Sequence, residues 1–128
     1  NDENNYFSIE NVVFVKQKSF NKLILNKLKN YIDSDNKIKK FSLNIDIAVN
    51  KSVKSKNKQG NPEIYSMNIV LNLNVFENNI SKSNVKFNEN FEYSNQSNKF
   101  NLKQYENNIQ TNLLNKISED IIKHLYAL

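Results

Sequence analysis

The chain has 128 residues, 38% of them hydrophobic, with a formal net charge of +5 from 18 basic and 13 acidic residues. It has no Cys and a single Gly, Pro and His. This excludes disulfides, thiol catalysis, Cys- or multi-His zinc sites and Gly-rich phosphate loops.

Every basic residue is Lys, and the charge is uneven: residues 16–58 hold twelve lysines against Asp33, Asp35 and Asp46. Such a basic half suits an anionic partner, whether lipid phosphate, nucleic acid or an acidic protein surface, and equally a plain solvated surface in a Lys-rich chain. Asn is abundant but interleaved with apolar residues, which reads as an AT-rich coding bias and argues against an Asn ladder. No apolar run approaches the length of a membrane span.

In chain order, residues 1–7 read as a polar tail and Ile9 to Val15 as a short β-branched strand. Ser19 is placed to cap a helix with apolar positions Phe20, Leu23, Ile24, Leu28, Tyr31 and Ile32. The run Asp33 to Asn36 then makes a polar turn. From Phe41 to Val53 the pattern alternates, with Phe41, Leu43, Ile45, Ile47 and Val49 on one face. Lys51 to Pro62 reads as a polar loop.

Ile64 to Phe76 alternates again, with Tyr65, Met67, Ile69, Leu71, Leu73 and Val75 sharing a face. Asn78 and Asn79 can replace Gly in a hairpin turn. Val85, Phe87, Phe91 and Tyr93 continue the alternation beyond it. A last helix starts near Ser97 or Asn101, with Leu102, Tyr105, Ile109, Leu113, Ile117, Ile121 and Leu125 at helical spacing. The expected fold is one α+β domain, residues 1–128: a four-stranded, mainly antiparallel sheet with two helices packed on one face, in the order β-α-β-β-β-α. Phe14, Val70 and Phe76 are expected to lie partly off the core face.

No constellation of side chains points to catalysis. His124 is alone and suits the C-terminal end of the last helix or solvent. Glu119 and Asp120 diverge by about 100° on a helix, and Glu89 and Glu92 point to opposite faces of a strand. No cofactor or metal is expected. The features suited to a partner are lysines: Lys51, Lys54, Lys56 and Lys58 are clustered in sequence, and such a cluster can hold phosphates as point charges. With no Arg, and with the aromatics committed to strand faces, nucleic acid is not the expected partner.

Two segments carry a resemblance. The segment Ile64-Tyr65-Ser66-Met67-Asn68-Ile69-Val70-Leu71 follows a polar loop with a Tyr and alternating apolar residues. Phe91-Glu92-Tyr93-Ser94, then Leu102-Lys103-Gln104-Tyr105-Glu106, gives an aromatic strand end, a polar connection and a Lys/Glu helix start. Together with the element order over nearly the whole chain, these segments resemble the LptE (rare lipoprotein B) family of lipopolysaccharide-assembly lipoproteins. The resemblance implies a non-enzymatic protein on the periplasmic face of the outer membrane of a Gram-negative cell. It would be lipid-anchored after removal of its signal, plugging and helping to assemble the LptD barrel and binding lipopolysaccharide. It assigns lipopolysaccharide contact to Lys103, while Ser42 or Asn44 stands where the family has another basic contact. The alternative is a basic α+β module for another polyanion, a nucleic acid or an acidic protein.

Overall fold

The computed structural model describes residues 6–34 and 38–128. β1 (Phe7–Phe14) leads into α1 (Asn21–Leu28), which tightens into a 3-10 turn over Lys29–Tyr31. β2 (Lys39–Lys56), β3 (Pro62–Glu77) and β4 (Ile80–Ser94) form a meander, and α2 (Lys99–Tyr126) follows. The sheet order is β1-β2-β3-β4, with β1 parallel to β2 and the other pairs antiparallel. The helical crossover through α1 is what allows the one parallel pair. Class, element order and sheet are those expected from the sequence.

Alternation drives the packing. Phe41, Leu43, Ile45 and Ile47 of β2 and Ile69, Leu71, Leu73 and Val75 of β3 are buried in one core. Ile24 and Leu28 of α1 and Leu114, Ile117, Ile121 and Leu125 of α2 join the same core, so both helices cover one face of the sheet. Along α2 the buried row passes from Ile109 to Leu114, while Leu113 is half-buried and Tyr105 exposed. Ile117, Ile121 and Leu125 are buried where the spacing places them, so beyond Ile109 the row departs only at Leu113, which packs at the side of the core while Leu114 takes the fully buried place.

Several boundaries differ from the sequence reading, each for a local reason. The tail is shorter than residues 1–7: Phe7 opens β1, is buried, and stacks on Tyr31 at 5.1 Å. Residues 1–5 lie outside the described residues, as do Asp35 and Asn36 of the polar turn. A bulge at Glu10 shifts the β1 register between Ile9 and Asn11. Phe7 and Ile9 face the core before it, and Val12 and Phe14 after it, so Phe14 packs on the core while Val13 is exposed.

Ser19 does not cap α1. The N-cap is Phe20 with no side-chain cap, and Asn21 Nδ2 instead donates to the Lys16 carbonyl at 2.9 Å. α2 is capped by Asn98, whose Oδ1 accepts from the Asn101 N–H at 3.0 Å. His124 meets a strand side chain rather than solvent, its Nε2 sharing a 2.7 Å hydrogen bond with Ser83 Oγ. The hairpin is as expected, with φ of 54° at Asn78 and 63° at Asn79.

Candidate functional site

At the end of the sheet away from Phe7, a second small core of Met67, Tyr93, Leu102 and Ile109 joins β3, β4 and the start of α2. The Asn95 side chain donates to the Pro62 carbonyl at 2.9 Å, and the Asn95 N–H donates to the Glu63 carbonyl at 2.9 Å. These bonds tie the β4–α2 connection to the start of β3. They bring the first turns of α2, and with them Lys103, to the end of the sheet where β2 turns into β3.

The lysine cluster does not sit in a loop as the sequence reading had it. β2 continues to Lys56, so Lys51, Lys54 and Lys56 are strand residues and only Lys58 lies in the turn. That turn closes on Asn57, whose Oδ1 accepts from the backbone N–H groups of Gln59 and Asn61 at 3.0 Å each. Gly60 supplies the φ of 84° that the turn requires. The misreading has a cause: this stretch of β2 is polar on both faces, and its strand is carried by the ladder to β3.

The lysines differ in their surroundings. Lys51 Nζ lies 2.8 Å from Glu106 Oε2 and 4.1 Å from the centroid of the Tyr65 ring. The Tyr93 hydroxyl donates to the same Glu106 oxygen at 2.6 Å. Burial pushes the Glu106 carboxyl up, but the bonds from Lys51 and Tyr93, and the charges of Lys51 and Lys103, outweigh it and hold the group below its ordinary range. Burial first, then the Glu106 carboxylate, raises the Tyr93 phenol far above its ordinary value. Lys51 is therefore part of a partly buried structural lock.

Lys54 makes an exposed ion pair with Glu92 at 3.3 Å. Lys56, Lys58 and Lys103 are in no ion pair among the described residues. The sequence reading does not place Glu106 and Tyr93 in the site. Their signal was present, because Glu106 falls between Leu102 and Ile109 on the inward stripe of the helix, where a charge demands partners.

Among the described residues, no helix covers the opposite face of the sheet. Cross-strand register sets its polar residues in rows over β2, β3 and β4: Asn44-Asn74-Asn84, Asp46-Asn72-Lys86 and Asn50-Asn68-Asn90. One less polar row, Ala48-Val70-Asn88, lies between them. Asn68 Nδ2 donates to Asn88 Oδ1 at 2.8 Å, and Ser66 Oγ donates to Asn90 Oδ1 at 2.9 Å. Interleaving with apolar residues, taken from sequence as an argument against an Asn ladder, is what produces these rows: a period of two sends every Asn of a strand to one face.

No family model matches the chain, and no curated protein matches it in sequence. Its fold is similar to that of the rare lipoprotein B of Shewanella oneidensis, with a TM-score of 0.72, 14% identity, and coverage of 96% of this chain and 95% of that one. The chain has the lipoprotein B fold. An uncharacterised lipoprotein B of Nitrosomonas europaea aligns with a TM-score of 0.75 and 8% identity over 96% of this chain and 84% of its own. A minor lipoprotein of Acinetobacter baumannii gives 0.71 and 9% over 96% and 93%. At these identities the lipoprotein B likeness is one of fold, and function rests on the chain's own surfaces. Among the described residues no group of acidic or His side chains is placed to hold a metal, and no helix is long and apolar enough to cross a membrane.

Proposed function

We propose that this chain is an LptE-like lipoprotein, non-enzymatic, held at the periplasmic face of the outer membrane by an N-terminal lipid. In this role it fills the lumen of the LptD barrel, helps that barrel assemble, and binds lipopolysaccharide in transit. The observation that carries the reading is the uncovered sheet face. Its rows of Asn amides, each both donor and acceptor, suit the polar inner wall of a large barrel. The helices on the other face close the core, so the exposed sheet is free to serve as a contact surface.

For the lipid, the structure changes which lysines are favoured. Lys103 is retained, with Lys56 and Lys58 as further phosphate contacts at the same end and Lys54 held only by an exposed pair. Lys51 is committed to Glu106 and contributes to shape instead. The test is affinity purification of the lipidated full-length protein from its native membrane in detergent, with mass spectrometry of what accompanies it. A large barrel protein in equal amount supports the reading, and its absence overturns it.

The concentration of twelve lysines in residues 16–58 also favours a second reading, a module for another polyanion. That reading predicts nucleic acid or an acidic soluble protein in the same purification, with binding that falls steeply as salt rises.

A further inference from the structure

Four large apolar or aromatic side chains are fully or partly exposed at one end of the molecule. Tyr6 is 60% exposed, Ile38 82%, Ile80 70% and Tyr126 37%. The end is formed by the starts of β1 and β2, the β3–β4 hairpin and the last turn of α2. Ile38 precedes the first residue of β2, which pairs with Phe7, and Ile80 pairs with Glu77 across the Asn78-Asn79 turn.

Tyr6 and Ile38 share a small surface cleft with Leu125, Tyr126 and Leu128. Behind it, the Tyr6 and Tyr126 rings meet edge to face at 6.1 Å, and Phe7 contacts Tyr126 at 5.0 Å. An aromatic column thus runs from the core out to this end, with an isoleucine at each of two tips.

Exposed isoleucine tips, with tyrosines that have an apolar body and a polar edge, suit the depth gradient of a bilayer interface. The charge agrees with a lipid surface. Lys40 and Lys123 flank the end in exposed positions, and Glu77 is neutralised by Lys82 at 3.4 Å. A positive rim attracts anionic headgroups.

The geometry points to this end as a lipid-docking surface: Ile38 and Ile80 enter the interface of an anionic bilayer, and Tyr6 and Tyr126 lie at headgroup depth. The inference rests on the lipoprotein reading in one respect, because a lipid attached N-terminal to Tyr6 would hold this same end at the membrane. It adds an orientation. From Tyr126 back to Lys103, α2 spans about 35 Å, so Lys103, Lys56 and Lys58 stand at the far end from the bilayer.

The chain contains no Trp, so one introduced indole reports alone. Ile38→Trp, Ile80→Trp and, at the far end, the 68% exposed Phe100→Trp are each mixed with vesicles of phosphatidylcholine containing about one-third phosphatidylglycerol. A blue shift and protection from a soluble quencher are expected at positions 38 and 80 and not at 100. The response is expected to weaken on pure phosphatidylcholine. In co-sedimentation of the full chain, Ile38→Asn with Ile80→Asn is expected to lower vesicle partitioning about tenfold, with an unchanged circular dichroism spectrum. No shift at 38 and 80, or an equal or larger shift at 100, overturns the inference. Barrel capture separates the two ideas: capture by the double variant, which no longer docks, leaves the proposed function standing, and docking of the unaltered chain without any capture leaves only the membrane surface.

Discussion

Lys51 and Tyr93 meet on one oxygen, Glu106 Oε2, at 2.8 Å and 2.6 Å. β2, β4 and α2 are thereby locked together at an end of the sheet where the apolar core is small. Because the Glu106 side chain is only 12% exposed, the pair belongs with partly buried charges rather than weak surface bridges. Lys51→Met would leave a desolvated carboxylate with one partner fewer, an expected loss of about 1–3 kcal/mol. Urea denaturation checks this, and a double-mutant cycle with Glu106→Gln should return a coupling on the order of 1 kcal/mol.

The same lock sets an acid limb. The folded Glu106 carboxyl titrates below its ordinary value, so the folded state binds its proton less readily than the unfolded state. The stabilisation is therefore full above the unfolded value of about 4.3 and is lost as pH falls through the lower folded value. Glu106→Gln should lower stability at neutral pH and flatten the decline below about pH 4. Denaturation midpoints across that range measure it, and an unchanged acid limb would remove Glu106 as its source.

Leu114 is fully buried beside Ile117 and Ile121, whereas Leu113 is half-buried. Leu114→Ala should cost about 2–5 kcal/mol and Leu113→Ala clearly less. Thermal or chemical unfolding ranks the two. The contrast marks what the sequence reveals. The alternation of β2 and β3 identifies their core faces residue by residue, since a period of two does not drift. A helix buries a stripe rather than a line, so Leu113 and Leu114 both border the core and spacing alone does not say which lies deeper.

Other features follow the same division. The Asn78-Asn79 hairpin was legible because Asn tolerates left-handed backbone, and the Glu10 bulge was not, because nothing in Ile9-Glu10-Asn11 announces an extra residue. The polar end of β2 looked like loop because its pairing is decided by β3. The lysines were visible as a charge cluster, but their division into locked and unlocked depends on Glu106 and Glu92, which lie far away in the chain.

Both turn residues have positive φ, which a Cβ-branched or bulky side chain resists. Asn79→Gly should be neutral or stabilise by a few tenths of a kcal/mol, and Asn79→Val should destabilise by about 1–2 kcal/mol. Melting temperatures of the two variants decide it.

If Lys56, Lys58 and Lys103 hold phosphate, replacing all three with Ala should weaken binding to lipopolysaccharide and reduce its salt dependence, with little change in stability. These residues are in no ion pair among the described residues, and although the Lys103 charge acts on Glu106, Lys51 and Tyr93 stay bonded to that carboxylate, so no buried partner is stranded by their removal. Lys51→Ala should do the reverse, lowering stability first, since Glu106 loses its cation. Binding titrations at two salt concentrations alongside unfolding curves separate a contact role from a structural one. Equal binding losses from Lys51→Ala and the triple variant would remove the distinction.

The rows on the uncovered sheet face set the last expectation. Asn72 is exposed at the centre, between Asp46 and Lys86, and Asn74 lies between Asn44 and Asn84. Neither reaches the core, which lies through the sheet on the helix side, so replacing them leaves the packing intact. Asn72→Glu with Asn74→Glu puts one negative charge in the middle of each of two adjacent rows, and desolvating them against a barrel wall is unfavourable. Barrel capture should fall by about tenfold or more, while the melting temperature stays within about 3 °C of the unaltered chain. The same substitutions on β4, at Asn84 and Asn90, test whether the contact extends to the sheet edge. Loss at β3 alone would centre the interface on the middle of the sheet, loss at both would assign it the whole face, and full capture by both variants would leave the amide rows without that role.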